Sequence, residues 1–197
     1  PTLEKAKKEM FESLRLVVAG AEKLSPKVRE DFTNKFDKEI LEGYGVTETT
    51  PVASCNLPTH KDERGNTQVG SKLGTVGMPL PGTKFKIVDP DTHEELETGK
   101  EGMILICGVQ VMKGYLKDEA KTKEVLVKIK GETYYITGDK GRVDEDGFLT
   151  IVDRYSRFAK LGGEMVSLGA VEENIRKVLP NDEIDIVATA LKDEKKG

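Results

Sequence analysis

Asp139 and Arg154 are opposite charges at the two ends of one candidate hairpin, YYITGDKGRVDEDGFLTIVDR, which turns on Asp146-Gly147. Pairing of its strands would bring a carboxylate and a guanidinium to one sheet edge. Such an edge can hold a polar diol or a phosphate, because the acid accepts hydrogen bonds and the guanidinium donates them. The run opens on a Thr137-Gly138 turn before the acid and continues into a double glycine, Gly162-Gly163.

A second candidate is Gly43-Tyr44-Gly45-Val46-Thr47-Glu48-Thr49. Glycines on either side of an aromatic ring let backbone approach a planar group. A Thr hydroxyl can reach a phosphate oxygen, and a carboxylate can hold Mg2+ through oxygen. Standing alone, the same letters also describe a glycine-rich turn around a core tyrosine, and the Gly-Lys-Ser/Thr ending of a Walker loop is missing. Two further runs carry no chemistry. Thr75 to Gly82 reads as a rigid entry fixed by two prolines. Asp144-Glu145-Asp146-Gly147 suggests a calcium loop until its first ligand falls on Arg142, which leaves a hairpin turn.

The elements that must position these groups fall into three stretches. Leu3, Met10 and Leu14, with Ala6, predict a first helix, giving way to a short buried strand in LRLVVAG. Ser25 as cap, Pro26 at the first helical position and Val28, Phe32 and Phe36 predict a second helix. Ile40 and Leu41 then start a strand. The polar run 58–70 predicts an exposed loop. Beyond it, turn-punctuated strands are expected at 84–88, 103–107, 128–137 and 147–152, with a short helix from Asp118 to Val125. Together they suggest a strongly bent sheet or open barrel. A helix over 169–179 and a strand over 183–191 close the chain. The fold class is therefore α+β, divided as an α/β end of a large domain (1–57), a β-rich barrel-like subdomain (58–153), and a hinge with the first part of a small α+β domain (154–197).

At 37% hydrophobic residues, with no apolar run near the roughly 20 needed to cross a bilayer, no transmembrane segment is expected. The net charge of −4 is dispersed, which argues against nucleic acid as a partner. Cys55 and Cys107 read as free thiols, the latter buried, in a reducing compartment. His60 and His93 read as solvated groups without metal-ligand company. A start without Met and a polar end after a unit too small for its own core suggest a piece of a longer polypeptide.

The ordered co-occurrence of Gly20-Ala21-Glu22, Tyr44-Gly45-Val46-Thr47-Glu48, Thr137-Gly138-Asp139, Arg154, Lys160 and Gly162-Gly163-Glu164 resembles the adenylate-forming superfamily of acyl-CoA synthetases, adenylation domains and luciferases, over essentially the whole chain. Within it, DRYSRFAKLGGEMVSLGAVEE is most similar to the acyl-acyl-carrier-protein synthetase part of the bacterial bifunctional 2-acylglycerophosphoethanolamine acyltransferase.

The resemblance implies that Gly20, Ala21 and Glu22 line an adenine pocket and that Tyr44 stacks on the base. It implies that Thr47 meets the α-phosphate and that Glu48 helps bind Mg2+, both as catalytic groups. Asp139 and Arg154 would hold the ribose hydroxyls. Gly162 and Gly163 would lie against a pantetheine arm, and Ser156, where Asp or Lys is usual, would be the hinge. The implied reaction joins a fatty acid or other carboxylate to ATP, giving an acyl-adenylate, and then to the thiol of coenzyme A or of acyl-carrier-protein phosphopantetheine.

The alternatives are an aryl or amino-acid adenylating enzyme, or a non-catalytic module that binds nucleotide or carrier protein. A cytoplasmic location is expected, with the parent at the inner membrane surface if an acyltransferase domain precedes it. The family's phosphate loop and C-terminal lysine are not found in this sequence, and without those cations in-line transfer loses much of its charge stabilisation. The purified 197-residue chain is therefore expected to give no acyl-hydroxamate from ATP, fatty acid and hydroxylamine, and a measurable signal would contradict this.

Overall fold

The structure, a computed structural model, describes residues 5–161, 164–179 and 184–191. Its first unit is a parallel pair, β1 (Val17–Ala19) and β2 (Ile40–Tyr44), connected through helix α1 (Pro26–Phe36). Proline at the first helical position carries a preset φ, and the missing N–H costs nothing there. Phe32 and Phe36, one turn apart, are buried against Ile40, and Phe11 closes over both rings at centroid distances of 5.8 and 4.3 Å. Phe11 ends a 3-10 helix, Lys8–Phe11, where a longer amphipathic helix was expected. Val28 stays exposed, so the apolar stripe of α1 is narrower than its spacing implies. Ser25 holds the cap position without a side-chain bond. Instead Arg29 ties helix to strand, pairing with Glu42 and donating to the Ile40 carbonyl at 2.8 Å.

Strands β3 (Ser54–Cys55) and β6 (Met78–Pro79) extend this sheet in the order β1-β2-β3-β6. Between them the expected loop at 58–70 is an exposed hairpin of β4 (His60–Lys61) and β5 (Thr67–Gln68). Asp62 makes the difference, since its Oδ1 accepts the amides of Arg64 and Asn66 and folds the polar run back on itself.

The second sheet is curled into a half-barrel. It contains β7 (Thr83–Val88), β8 (Gly102–Gly108), β9 (Leu126–Ile129), β10 (Glu132–Val143) and β11 (Leu149–Arg154), with main order β11-β10-β8-β7. Helix α2 (Glu119–Val125) leads into β9, capped by the Asp118 carboxylate on the Lys121 amide. The single strand expected at 128–137 is in fact the hairpin β9–β10. Lys130 and Gly131 both have positive φ, 48° and 85°, and this two-residue turn matches the twist of the flanking strands.

Strand β8 reads as an unbroken apolar run because both of its faces are covered. Ile104 and Ile106 join Ala53, Ile87 and Leu149 on one side, while Leu105 joins Val88 and Tyr134 on the other. Cys107 at its end is half-buried rather than buried; it and Cys55 are free thiols, both pushed up by burial.

Beyond β11 a 3-10 turn (Tyr155–Arg157) leads to the hairpin β12 (Phe158–Leu161) and β13 (Glu164–Ser167), then to helix α3 (Leu168–Arg176). The helix is shorter than expected and leaves Ile175 and Val178 exposed. The strand expected over 183–191 does not form in the described part, 184–191. Alternating side chains do not suffice where no neighbouring strand accepts the ladder hydrogen bonds. No helix among the described residues is long and apolar enough to cross a membrane.

Ile104 is fully buried at the centre of the larger core. Its truncation to Ala is expected to cost about 2–5 kcal/mol, read as a lower urea midpoint at unchanged m-value.

Candidate functional site

Strand β10 is the longest among the described residues at twelve residues, and one of its edges changes partner part-way along. Residues Glu132 to Tyr135 pair with β9, and Asp139 to Val143 pair with β11, while β8 runs along the other edge. The predicted Thr-Gly turn is the bulge at this change of partner, inside a continuous strand. Gly138 takes φ 75°, a left-handed conformation glycine reaches without a Cβ penalty. The Thr137 hydroxyl donates to the Ile104 carbonyl and accepts the Asp139 amide, both at 2.9 Å, so the kinked backbone stays bonded.

The bulge aims Asp139 at its partners. Asp139 and Arg154 face each other in register, with Arg154 Nε 3.3 Å from Asp139 Oδ1. The other oxygen, Oδ2, accepts the Tyr44 hydroxyl at 2.5 Å. The Asp139 side chain is only 6% exposed, whereas the Arg154 side chain is 68% exposed. Burial therefore dominates and pushes the Asp139 carboxyl above the usual range, against the Tyr44 hydrogen bond and the Arg154 charge, with Asp153 adding to the rise. Burial and the Asp139 charge likewise drive the Tyr44 phenol well up, so it remains a donor.

Tyr44 ends β2, and Gly20-Ala21-Glu22 follows β1, so both candidates lie at the carboxyl ends of the parallel pair, where open α/β sheets bind ligands. Gly20 lies against the Gly43 carbonyl, and Ala21 turns the chain with φ 72°, leaving Gly20, Ala21 and Glu22 exposed. Gly45 serves the fold first. A Cβ there would lie 1.8 Å from the Pro51 carbonyl oxygen, so the glycine admits the returning chain. Thr47 and Glu48 form a 3-10 helix, Thr47–Thr49, pinned by Thr49, whose hydroxyl accepts the Val46 amide.

Glu48 is linked to the Asp139 group through tyrosines that sequence reasoning missed. Tyr115 donates to Glu48 Oε1 at 2.5 Å. Tyr135 lies beside both, its hydroxyl pushed up by burial and then by the Glu48 charge, and it also acts on Tyr44. The available signals were the Gly114-Tyr115 step and the placement of Tyr135 on the same strand as Asp139. Ser156 lies exposed in the 3-10 turn after Arg154, and Gly162 and Gly163 lie outside the described residues.

Among the described residues no group of three or more His, Cys, Asp or Glu could hold a metal. The lone Glu48 carboxylate suits a hard cation carried mainly by phosphates, since Mg2+ is commonly held by one or two carboxylates plus substrate oxygens. The turn at Asp144 and Asp146, read from sequence as a hairpin, is held by Lys72.

Residues 1–116 match the family described as AMP-binding enzyme. The chain belongs to that family. Among curated relatives, this AMP-binding chain is 34% identical to 4-coumarate–CoA ligase 1 of Arabidopsis thaliana over 186 residues, 94% of the chain and 31% of that protein. It is 33% identical to the mitochondrial medium-chain acyl-CoA ligase ACSF2 of Danio rerio, over 94% of the chain and 29% of that protein. Among solved structures it aligns with O-succinylbenzoate coenzyme A synthetase of Bacillus subtilis in complex with AMP, at TM-score 0.75 and 26% identity, covering 99% of the chain and 37% of that protein. The chain thus spans about a third of the length of these proteins.

A raised folded-state value means Asp139 contributes stability below the unfolded value, about 3.9, and loses it as pH rises through the folded one. Asp139→Asn can still accept the Tyr44 hydroxyl. Its thermal midpoint is expected to match or exceed that of the unchanged chain at about pH 7, with the gain shrinking toward about pH 4. A lower midpoint at neutral pH would contradict the assigned burial cost.

Proposed function

We propose that this chain supplies the adenosine-monophosphate-holding part of an ATP-dependent acid–thiol ligase. Residues 1–57 end its large domain, 58–153 form the barrel-like subdomain, and 154–197 carry the hinge and the start of the small domain. The observation that carries the reading is the Tyr44–Asp139–Arg154 group at the carboxyl ends of a parallel strand pair, in a chain of the AMP-binding family.

In this reading adenine rests between the Gly20-Ala21-Glu22 turn and the Tyr44 ring. The ribose hydroxyls donate to Asp139, and Arg154, mostly exposed, swings the few ångströms needed to bond them. A substrate carboxylate oxygen attacks the α-phosphorus of ATP. The α–β anhydride bond breaks, pyrophosphate leaves, and an acyl-adenylate remains. A thiol sulfur then attacks the acyl carbon, the acyl–phosphate bond breaks, AMP leaves and the thiol proton is released.

Both partners in the first step are anions, so alignment and charge neutralisation must lower the barrier. Thr47 would donate its hydroxyl to the α-phosphate, and Glu48 would help hold Mg2+, which would supply neutralisation of the phosphate charge. Gly162 and Gly163 would leave room for the pantetheine arm, and Ser156 would be the pivot between half-reactions.

The acid is a medium- or long-chain fatty acid, and the name of the Danio rerio relative supports this. An aromatic acid is the second reading, supported by the name of the Arabidopsis thaliana relative. Coenzyme A is the favoured acceptor over carrier-protein phosphopantetheine, because both relatives are CoA ligases by name.

Saturation-transfer NMR with AMP is the test, since it reads weak binding. The unchanged chain should bind, and Asp139→Asn, still folded, should weaken AMP about 10- to 100-fold, the worth of a charge-assisted hydrogen bond. Equal binding by the two proteins would refute the ribose assignment.

A further inference from the structure

Glu48 is a half-buried carboxylate without a cation: among the described residues no ion pair forms to it. Burying an acid without a positive partner is costly unless hydrogen bonds hold it. What holds it is the Tyr115 hydroxyl at 2.5 Å, with Tyr135 alongside.

Tyr115 itself has little freedom. Its amide donates to the Thr122 hydroxyl at 2.9 Å, and that hydroxyl donates to the Asp118 carbonyl at 2.7 Å. Lys121 Nζ lies 4.9 Å from the centre of its ring. The segment leading to it is bound to the Glu48 turn at two more points. The Met112 amide donates to the Glu48 carbonyl, and the Thr50 hydroxyl donates to the Gln110 carbonyl, both at 2.8 Å. A tyrosine whose backbone is tied to Thr122, whose ring lies under Lys121 and whose hydroxyl is aimed at one carboxylate oxygen is more than a core contact needs. It sets the direction in which the acid can meet anything else.

We propose that Tyr115 is a positioning residue. By holding Glu48 Oε1 it orients the carboxylate for the divalent cation that accompanies nucleotide phosphates. This rests on the nucleotide reading above and deepens it. In this role Tyr115 would meet Glu48 rather than the substrate. It acts through Glu48, removing a rotamer search that a free side chain would complete only on binding.

The test is a double-mutant cycle with two ligands, AMP without metal and ATP with Mg2+, measured by saturation-transfer NMR on the unchanged chain, Tyr115→Phe, Glu48→Gln and the double variant. Tyr115→Phe keeps the ring and its packing and removes only the hydroxyl. AMP binding should stay within twofold in Tyr115→Phe. Binding of ATP with Mg2+ should fall about tenfold in Tyr115→Phe, and the same substitution should add nothing in the Glu48→Gln background. Equal weakening of both ligands would mean a structural role and overturn the proposal. So would an undiminished effect of Tyr115→Phe in the Glu48→Gln background, or no effect of it at all. Absence of AMP binding in all four would sink the nucleotide reading itself, and the proposal with it. Retention of AMP binding with any of the other adverse outcomes would leave that reading standing.

Discussion

The site depends on a strand that loses its neighbour for three residues. Where β10 leaves β9 and has not yet met β11, residues 136–138 have no ladder partner on that edge. Unpaired backbone in a sheet interior is costly, so the chain must bend, borrow side-chain bonds, or both. Here Gly138 supplies the bend and Thr137 the bonds. The next residue, Asp139, emerges buried yet turned toward the end of the other sheet, where the Tyr44 hydroxyl meets it. A sheet irregularity thus becomes a place for a carboxylate that a regular ladder would not hold.

The two carboxylates of the site are treated alike. Asp139 and Glu48 each accept a phenol at 2.5 Å, from Tyr44 and Tyr115. A neutral donor suits both, because it satisfies an acid without cancelling its charge. Arg154, mostly exposed beside Asp139, leaves that charge available to a ligand rather than sealing it in a buried ion pair. Hydroxyl-rich, cation-accompanied ligands are the chemistry such acids favour.

Much of this was legible in the letters. Asp146-Gly147 announced the hairpin, and its two strands bring Asp139 and Arg154 to one edge as expected, but their direct facing depends on a register shift the letters do not show. Pro26 and Asp118 marked helix starts that the structure has. The Lys130-Gly131 turn was hidden inside the alternating, strand-like run KIKGETYYIT, and the hairpin at 58–70 rests on one aspartate whose local bonds outweigh a polar, aperiodic composition. The alternation over 183–191 found no neighbouring strand in the described part. Tyr115 stood 67 residues from Glu48, and no periodicity connects positions joined only by the return of a curled sheet. Glycines were the most deceptive. Gly45 looked like room for a ligand, and its first duty is room for Pro51.

On β11 the register shifts between the pairs Gly141–Ile151 and Lys140–Asp153, leaving Val152 as an extra residue. Without that residue bulged, counting back along the hairpin would set Asp153 rather than Arg154 opposite Asp139. Two acids would then confront each other, and Asp153 would forfeit the Ser167 hydroxyl and Gly169 amide that it receives at the start of α3. One surplus amino acid therefore works as a phase shifter, choosing the electrical polarity of the sheet's rim. Drawing it into the ladder would invert that polarity without altering a single charged side chain, whereas deleting it would keep Arg154 opposite Asp139.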